Sequence, residues 1–286
     1  MSQEPTTRSH ETTIEIAAPP ETVWEGITEA REIVRWFAPE ARVEPGEGGS
    51  YFISWGPGME GTSRITIWEP NRHLRVVEDR KFAGARGEGC VEPTDTVGEP
   101  AQIAVDYYLE AKGGSTVLRL VHSGFGVSAD WDNEFESTHY GWMMFLRNLR
   151  HALTRHLRTP CRQAMLMVES PLPAPETWAK VMGPAGFLAS GTIDGLKEGD
   201  RFAWRTATGE EISGQALMPH PPIYIGGSLE QANDSLFGIT SMPKTLMLTF
   251  MFYGLSEAQA EAIQSRWTEL VRSAVSTSAA CAEARA

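Results

Sequence analysis

The chain has 286 residues, of which 41% are hydrophobic and 22% are charged, and this length favours two domains over a single hydrophobic core. Its formal net charge of −12 and the lack of any run of lysine or arginine argue against a nucleic-acid-binding surface, because such a surface must neutralise phosphates. No segment approaches the ~20 consecutive apolar residues of a membrane span, so no membrane association is expected.

The cysteines and the N-terminal sequence indicate the compartment. Cys90, Cys161 and Cys281 are far apart and odd in number, without the paired spacing of a structural metal site. The first residues, MSQEPTTRSHETT, are polar and lack the apolar core of an export signal. We therefore predict a reduced, cytoplasmic protein without a metal or a cofactor.

The N-terminal part of the chain predicts a tail, a strand and two helices. Residues 1–12 are polar and are predicted to form a flexible tail, and the alternation over Thr13–Ala17 predicts a short strand. The following Pro-Pro-Glu suits a helix start, because proline needs no partner for a missing N–H and glutamate complements the helix dipole. A second short helix is expected over Ile33–Phe37.

The next segments predict an antiparallel sheet. They are enriched in β-branched and aromatic residues and are separated by clusters of Gly, Pro and Asn, the pattern of strands joined by tight turns. Between the third and fourth strands, residues 81–100 are predicted to be a long insertion, of the kind that is a lid, a binding loop or a disordered segment. The strand segments are GGSYFISW, GTSRITIWE, HLRVVED, AQIAVDYYLEA and STVLRLVHS.

A long amphipathic helix is predicted to follow from Phe135 to Leu157. Its apolar face must be buried against another layer, and the preceding sheet supplies that layer. Because a curved sheet rarely closes along the whole of a helix, we expect a cavity at the N-terminal half of the helix. The predicted apolar stripe comprises Phe135, His139, Trp142, Leu146, Leu149, Leu153 and Leu157.

The second half of the chain, residues 159–276, repeats this pattern. PAPETWAKVM resembles the earlier APPETVWEGI, later segments follow the same order of turns, and a final helix carries Ser256 as its N-cap. Trp267 takes the place of Trp142 on that helix. We therefore predict two tandem α+β domains, 13–158 and 159–276, and a flexible C-terminal tail over 277–286.

Five pieces of the first half, in order and in register, resemble the SRPBCC or START-like superfamily with its helix-grip fold, in the branch named for the activator of a heat-shock-chaperone ATPase. The resemblance implies a curved antiparallel sheet wrapped on a long C-terminal helix, with a deep apolar cavity between them. Members of the superfamily bind lipids, sterols, hormones or polyketides, and some catalyse cyclisation, dehydration or hydrolysis. The pieces are VWEGITEAREIVRWFAP, EPGEGGSYFISW, GTSRITIWEPNRHLRVV, STVLRLVHSGF and GWMMFLRNLRHAL.

The candidate binding residues are the aromatic and polar side chains expected near that cavity. Arg64 would anchor a carboxylate or phenolate if its face of the strand is turned inward, and it would be a solvated surface residue if that face is turned outward. His139 would move protons, or would simply bond a strand carbonyl. The predicted ligand-binding residues are Trp36, Tyr51, Trp55, Arg64, Tyr107, Phe135, His139, Trp142 and Leu146.

Three functions fit the sequence at this point. The first is binding of a hydrophobic or aromatic small molecule, and the second is a polyketide cyclase or aromatase activity in the same cavity with His139, Arg64 and Tyr51 as candidate catalytic residues. The third is regulation of a chaperone ATPase, which the absence of the additional N-terminal domain of the eukaryotic activators disfavours. A homodimer is left open.

Overall fold

The computed structural model describes residues 7–78, 102–183 and 186–276, so the predicted loop over 81–100 and the predicted tail over 277–286 lie outside the described residues. The chain divides into two compact units between Arg158 and Thr159. Each unit contains a seven-stranded antiparallel sheet and a long C-terminal helix. The predicted α+β class with two tandem helix-grip domains is confirmed.

The first unit places its strands in the order β1-β7-β6-β5-β4-β3-β2. Every neighbouring pair is antiparallel, as the turn-separated segments predict. The elements are β1 (Thr7–Ile16), α1 (Pro20–Thr28), α2 (Ala30–Ile33), β2 (Glu40–Val43), β3 (Ser50–Ser54), β4 (Glu60–Glu69), β5 (His73–Glu78), β6 (Ala104–Lys112), β7 (Ser115–Gly126) and α3 (Asp132–Arg155).

The prediction of a flexible tail up to residue 12 is wrong for residues 7–12. Strand β1 begins at Thr7 and pairs with β7 along its whole length, from the Thr7–Gly126 pair to the Ile16–Thr116 pair. Its inward-facing positions near the start are Arg8, His10 and Thr12, which are polar. The hydrophobic alternation by which a strand is recognised is therefore missing, although His10 is buried.

A β-bulge in β7 shapes the end of the sheet beside the start of α3. The register with β1 shifts between Arg8 and Ser9, which leaves Gly124 as the extra residue on the opposite strand. Gly124 has φ +95°, and a Cβ there would lie 2.2 Å from the carbonyl oxygen of Gln102, so only glycine fits. Because of the extra residue, both His122 and Phe125 are buried.

Helix α3 covers the sheet of the first unit. Its leucines Leu146, Leu149 and Leu153 are buried in the core as the stripe predicts. The stripe ends earlier than predicted, because the helix terminates at Arg155 and Leu157 is 55% exposed. At the other end, Arg8 of β1 donates to Asp132 Oδ1 at 2.6 Å and fixes the first turn of the helix to the sheet.

The second unit has the strand order β8-β14-β13-β12-β11-β10-β9. Ser256 and Gln259 form the reciprocal capping interaction at the start of α5, because the backbone N–H of each is bonded by the side chain of the other. The elements are β8 (Cys161–Glu169), α4 (Ala174–Val181), β9 (Leu188–Ser190), β10 (Arg201–Thr206), β11 (Glu211–His220), β12 (Tyr224–Leu229), β13 (Ser235–Met242), β14 (Thr245–Tyr253) and α5 (Glu257–Ser276).

No helix in the described ranges has an apolar stretch long enough to cross a bilayer.

Candidate functional site

A cavity of about 330 Å³ lies between α3 and the sheet of the first unit. This volume is at the small end of the range found for ligand pockets, about 300–1,000 Å³. Most of its lining is apolar or aromatic, and it is contributed by β3 to β7, by α3 and by the segment after α2. The lining residues are Phe37, Tyr51, Ile53, Trp55, Ser63, Val76, Glu78, Val105, Tyr107, His122, Ser137, Thr138, Gly141, Trp142 and Phe145.

The aromatic wall is centred on Phe37. Its ring stacks on Trp142 at a centroid distance of 5.1 Å and makes edge contacts with Trp55 and Phe145 at 5.0 and 4.7 Å. The indole N–H of Trp55 donates to the backbone oxygen of Phe37 at 3.2 Å. These contacts fix the ring planes, so the wall is a rigid aromatic surface.

Two tyrosines provide hydroxyl groups at the sheet side of the cavity. The hydroxyl of Tyr51 donates to the backbone oxygen of Ile27 at 3.2 Å. Burial raises the pKa of Tyr51, and burial together with the neighbouring Tyr51 raises the pKa of Tyr107 well above its usual range. Both phenols are therefore neutral at every physiological pH, and neither can act as a phenolate base.

His122 is held in one tautomer by Trp142. The indole Nε1–H of Trp142 donates to His122 Nδ1 at 3.0 Å, and since an indole nitrogen can only donate, Nδ1 must carry no proton. Burial, with a smaller contribution from the charge of His10, lowers the pKa of His122 to about 3. His122 is thus a neutral imidazole with its proton on Nε2, and Nε2 is enclosed without a partner in the described residues.

A cluster of aromatic and imidazole rings lies behind this histidine, where β1 and β7 meet the start of α3. His10 is directly opposite His122 in the β1–β7 pair, and its ring contacts those of His122, Phe125, Phe135 and His139 at centroid distances of 5.0–5.4 Å. Burial, followed by the charge of His139, lowers the pKa of His10 to about 4. In the described residues, no group of three or more His, Cys, Asp or Glu side chains is arranged to hold a metal ion.

Four of the nine predicted binding residues line the cavity. They are Tyr51 of β3, Trp55 directly after β3, Tyr107 of β6 and Trp142 of α3. The prediction for Arg64 is wrong, because its side chain is exposed on the outer face of β4 while its neighbours Ser63 and Ile65 are turned inward. Of the two orientations that the alternation of β4 allows, the structure therefore has the one in which Arg64 is a surface residue.

The other four predicted binding residues are near the cavity but are not part of its lining. Trp36 is buried behind Phe37 and donates to the backbone oxygen of Gly26 at 2.8 Å. Leu146 is fully buried in the core. Phe135 and His139 face the ring of His10 instead, because α3 is rotated so that this side of the helix packs against β1. Of the three candidate catalytic residues, only Tyr51 lines the cavity.

Sequence reasoning missed the residues of α3 that face the cavity, Ser137, Thr138, Gly141 and Phe145. They lie beside the apolar stripe, and three of them are small or polar, so they read as the solvent side of an amphipathic helix. The helical glycine was the available signal, because glycine within a helix is destabilising by about 1 kcal/mol relative to alanine. Such a glycine usually has a packing or functional reason.

In the second unit, aromatic side chains occupy the space between helix and sheet. Trp267 of α5, the counterpart of Trp142, is completely buried and contacts Phe187, Phe237 and Phe250 at ring-centroid distances of 4.7, 5.1 and 5.4 Å. Unlike Trp142, its indole nitrogen has no hydrogen-bond partner in the described residues. The cavity described above lies in the first unit.

The first unit matches a known protein family. Residues 17–154 match the family model described as activator of Hsp90 ATPase homolog 1-like protein, and no curated protein matches the chain. Protein MLL2253 from Mesorhizobium loti has 23% identity and a TM-score of 0.42, over 52% of this chain and 98% of that chain.

Two further solved structures are similar. The Aha1 dimer from Colwellia psychrerythraea has 17% identity and a TM-score of 0.40, over 51% of this chain and 96% of that chain. The di-domain ARO/CYC protein BexL has 13% identity and a TM-score of 0.41, over 94% of this chain and 98% of that chain. At such low similarity, these structures add nothing to the assignment of function.

Proposed function

We propose, on the geometry of its cavity, that the first unit, which matches the family model of activator of Hsp90 ATPase homolog 1-like proteins over residues 17–154, binds a hydrophobic or aromatic small molecule between α3 and the sheet. The observation that carries the proposal is the aromatic wall formed by Phe37, Trp55, Trp142 and Phe145 around an open volume of about 330 Å³. Flat apolar surfaces of this kind favour planar apolar ligands.

The shape of α3 supports the proposal. Gly141 is inside the helix at the cavity wall, and a Cβ added there would meet only the ring of Phe145, at 3.7 Å. A larger residue would have a higher helix propensity than glycine, and there is space for its side chain. Its side chain would, however, fill the volume that a ligand needs.

The cyclase alternative receives less support from the described residues. Arg64 is exposed on the outer face and His139 packs against His10, so neither lines the cavity. Tyr51 does, but its hydroxyl donates to Ile27 and its raised pKa opposes ionisation. A proton-transfer role for this set is therefore not proposed.

The test compares the wild-type protein with Gly141→Leu. Each protein is incubated with a lipophilic extract of its native host, and bound small molecules are detected by native mass spectrometry. We expect the wild type to retain a small molecule and Gly141→Leu to retain none while unfolding at the same or a higher temperature, because leucine is a strong helix former.

Glu136→Leu is the matched control, because it adds the same side chain to an exposed position of the same helix. It should bind as the wild type does. Equal retention by Gly141→Leu and the wild type would place the ligand elsewhere, and no retained ligand in any of the three proteins would contradict the proposal.

A further inference from the structure

The chemical class of the ligand follows from the polar groups of the cavity. Tyr107 is at the middle of β6, opposite Leu74 of β5 and Leu120 of β7, and its side chain is only 1% exposed. Its ring contacts Trp142 edge-on at 5.9 Å. These neighbours hold the phenol in place at the cavity wall.

The hydroxyl of Tyr107 differs from the other buried polar groups of the site. Tyr51 donates to Ile27 and Trp142 donates to His122, whereas the Tyr107 hydroxyl makes no hydrogen bond within the described residues. Nε2 of His122 has no partner among the described residues either, but this atom is fully enclosed. The Tyr107 oxygen is not one of the enclosed atoms. The Tyr107 hydroxyl therefore has access to the open volume.

The charges around the cavity restrict the ligand further. Tyr51, Tyr107 and His122 are all neutral at pH 7, because burial raises the pKa of each phenol and lowers the pKa of the imidazole. Among the described lining residues, Glu78 is the one with a carboxyl side chain, and it is exposed; Arg64 is turned away. The described lining holds no lysine or arginine, so an anionic ligand would find no counter-charge among these residues, which is costly.

We infer that the cavity selects a neutral, largely apolar molecule with a carbonyl-type oxygen, and that Tyr107 is the specificity-determining residue that donates a hydrogen bond to this oxygen. The inference rests on the proposed function, since it names the ligand class of the same cavity. A ligand that fills the cavity excludes water from this hydroxyl, and an acceptor on the ligand replaces the lost hydrogen bond. A hydrocarbon of the same shape cannot do so.

The test uses 1-tetralone and tetralin, which differ by one carbonyl group. Their dissociation constants are measured by protein-observed NMR for the wild type, Tyr107→Phe and Tyr108→Phe. Tyr108 is the matched control, because it is the next residue of the same strand and its ring stacks on His73 at 4.2 Å, away from the cavity. We expect the wild type and Tyr108→Phe to prefer the ketone about tenfold, which corresponds to about 1.4 kcal/mol.

In Tyr107→Phe, the preference should fall below about twofold, as expected for the loss of one hydrogen bond. Since the lost hydroxyl has no hydrogen-bond partner among the residues that the structure describes, this variant should also unfold at the same or a higher temperature than the wild type. A tenfold preference that persists in Tyr107→Phe would overturn the inference and leave the proposed function standing. If neither compound binds the wild type at millimolar concentration, the proposed function is contradicted and the inference with it.

Discussion

Acidification should destabilise the first unit through its buried histidines. In the folded protein, the pKa of His122 is lowered to about 3 and that of His10 to about 4, in both cases mainly by burial. In the unfolded chain both should titrate near 6.5. Below about pH 6.5 the unfolded chain therefore binds more protons than the folded one, so the free energy of unfolding falls as the pH falls.

The size of the effect follows from the two shifts. One pKa unit corresponds to about 1.4 kcal/mol, and pH 4.5 is about two units below the pKa of each histidine in the unfolded chain. Each should thus contribute a loss of about 2.5 kcal/mol between pH 7 and pH 4.5. The two losses together are comparable with the whole stability of a small domain, about 5–15 kcal/mol.

The assay is urea unfolding at pH 7.0 and pH 4.5, followed by NMR signals of the first unit so that this unit is measured apart from the second. His122→Asn removes one titrating group while its side-chain oxygen can still accept from Trp142. This variant should lose about 2.5 kcal/mol less than the wild type on acidification.

A His220→Asn variant in the second unit controls for the loss of an imidazole outside this cluster. An equal loss of stability in the wild type and His122→Asn would refute the reasoning. A directly measured pKa near 6.5 for His122 in the folded protein would refute it as well.

Two further predictions concern the frame of the cavity. Tyr51→Phe should lower the free energy of unfolding by about 1–2 kcal/mol, because the backbone oxygen of Ile27 loses its donor, and an unchanged urea midpoint would contradict this. Gly124→Ala should cost several kcal/mol, because alanine is strained at φ +95° and its Cβ would clash with Gln102; a calorimetric unfolding temperature equal to that of the wild type would show that the bulge tolerates a side chain.

The sequence predicts the layers of the fold because most strands and both long helices alternate clearly between apolar and polar residues. Strand β1 is the exception, since its inward positions near Thr7 hold Arg8, His10 and Thr12. Burial of His10 depends on Phe125 and Phe135, which are more than 100 residues away in the chain. No local pattern can report such packing.

The site was predicted in part for a related reason. Aromatic residues on the inner faces of strands, such as Tyr51 and Tyr107, follow directly from alternation. The rotation of α3 about its axis does not follow from the sequence pattern, because the apolar stripe of this helix is divided between the core, the His10 cluster and the cavity. As a result, the sequence pattern predicts a cavity position for His139, whereas its neighbour Thr138 lines the cavity in the structure.

The aromatic side chains around Trp267 allow the two units of the chain to be compared with each other. The same framework of seven strands and one long helix occurs in both units, once with phenylalanine rings packed around Trp267 and once with a cavity beside Trp142. In the first unit, the volume of the cavity depends on a few residues, above all on Gly141. Substitutions of increasing size at this position should reduce that volume in steps without altering the fold.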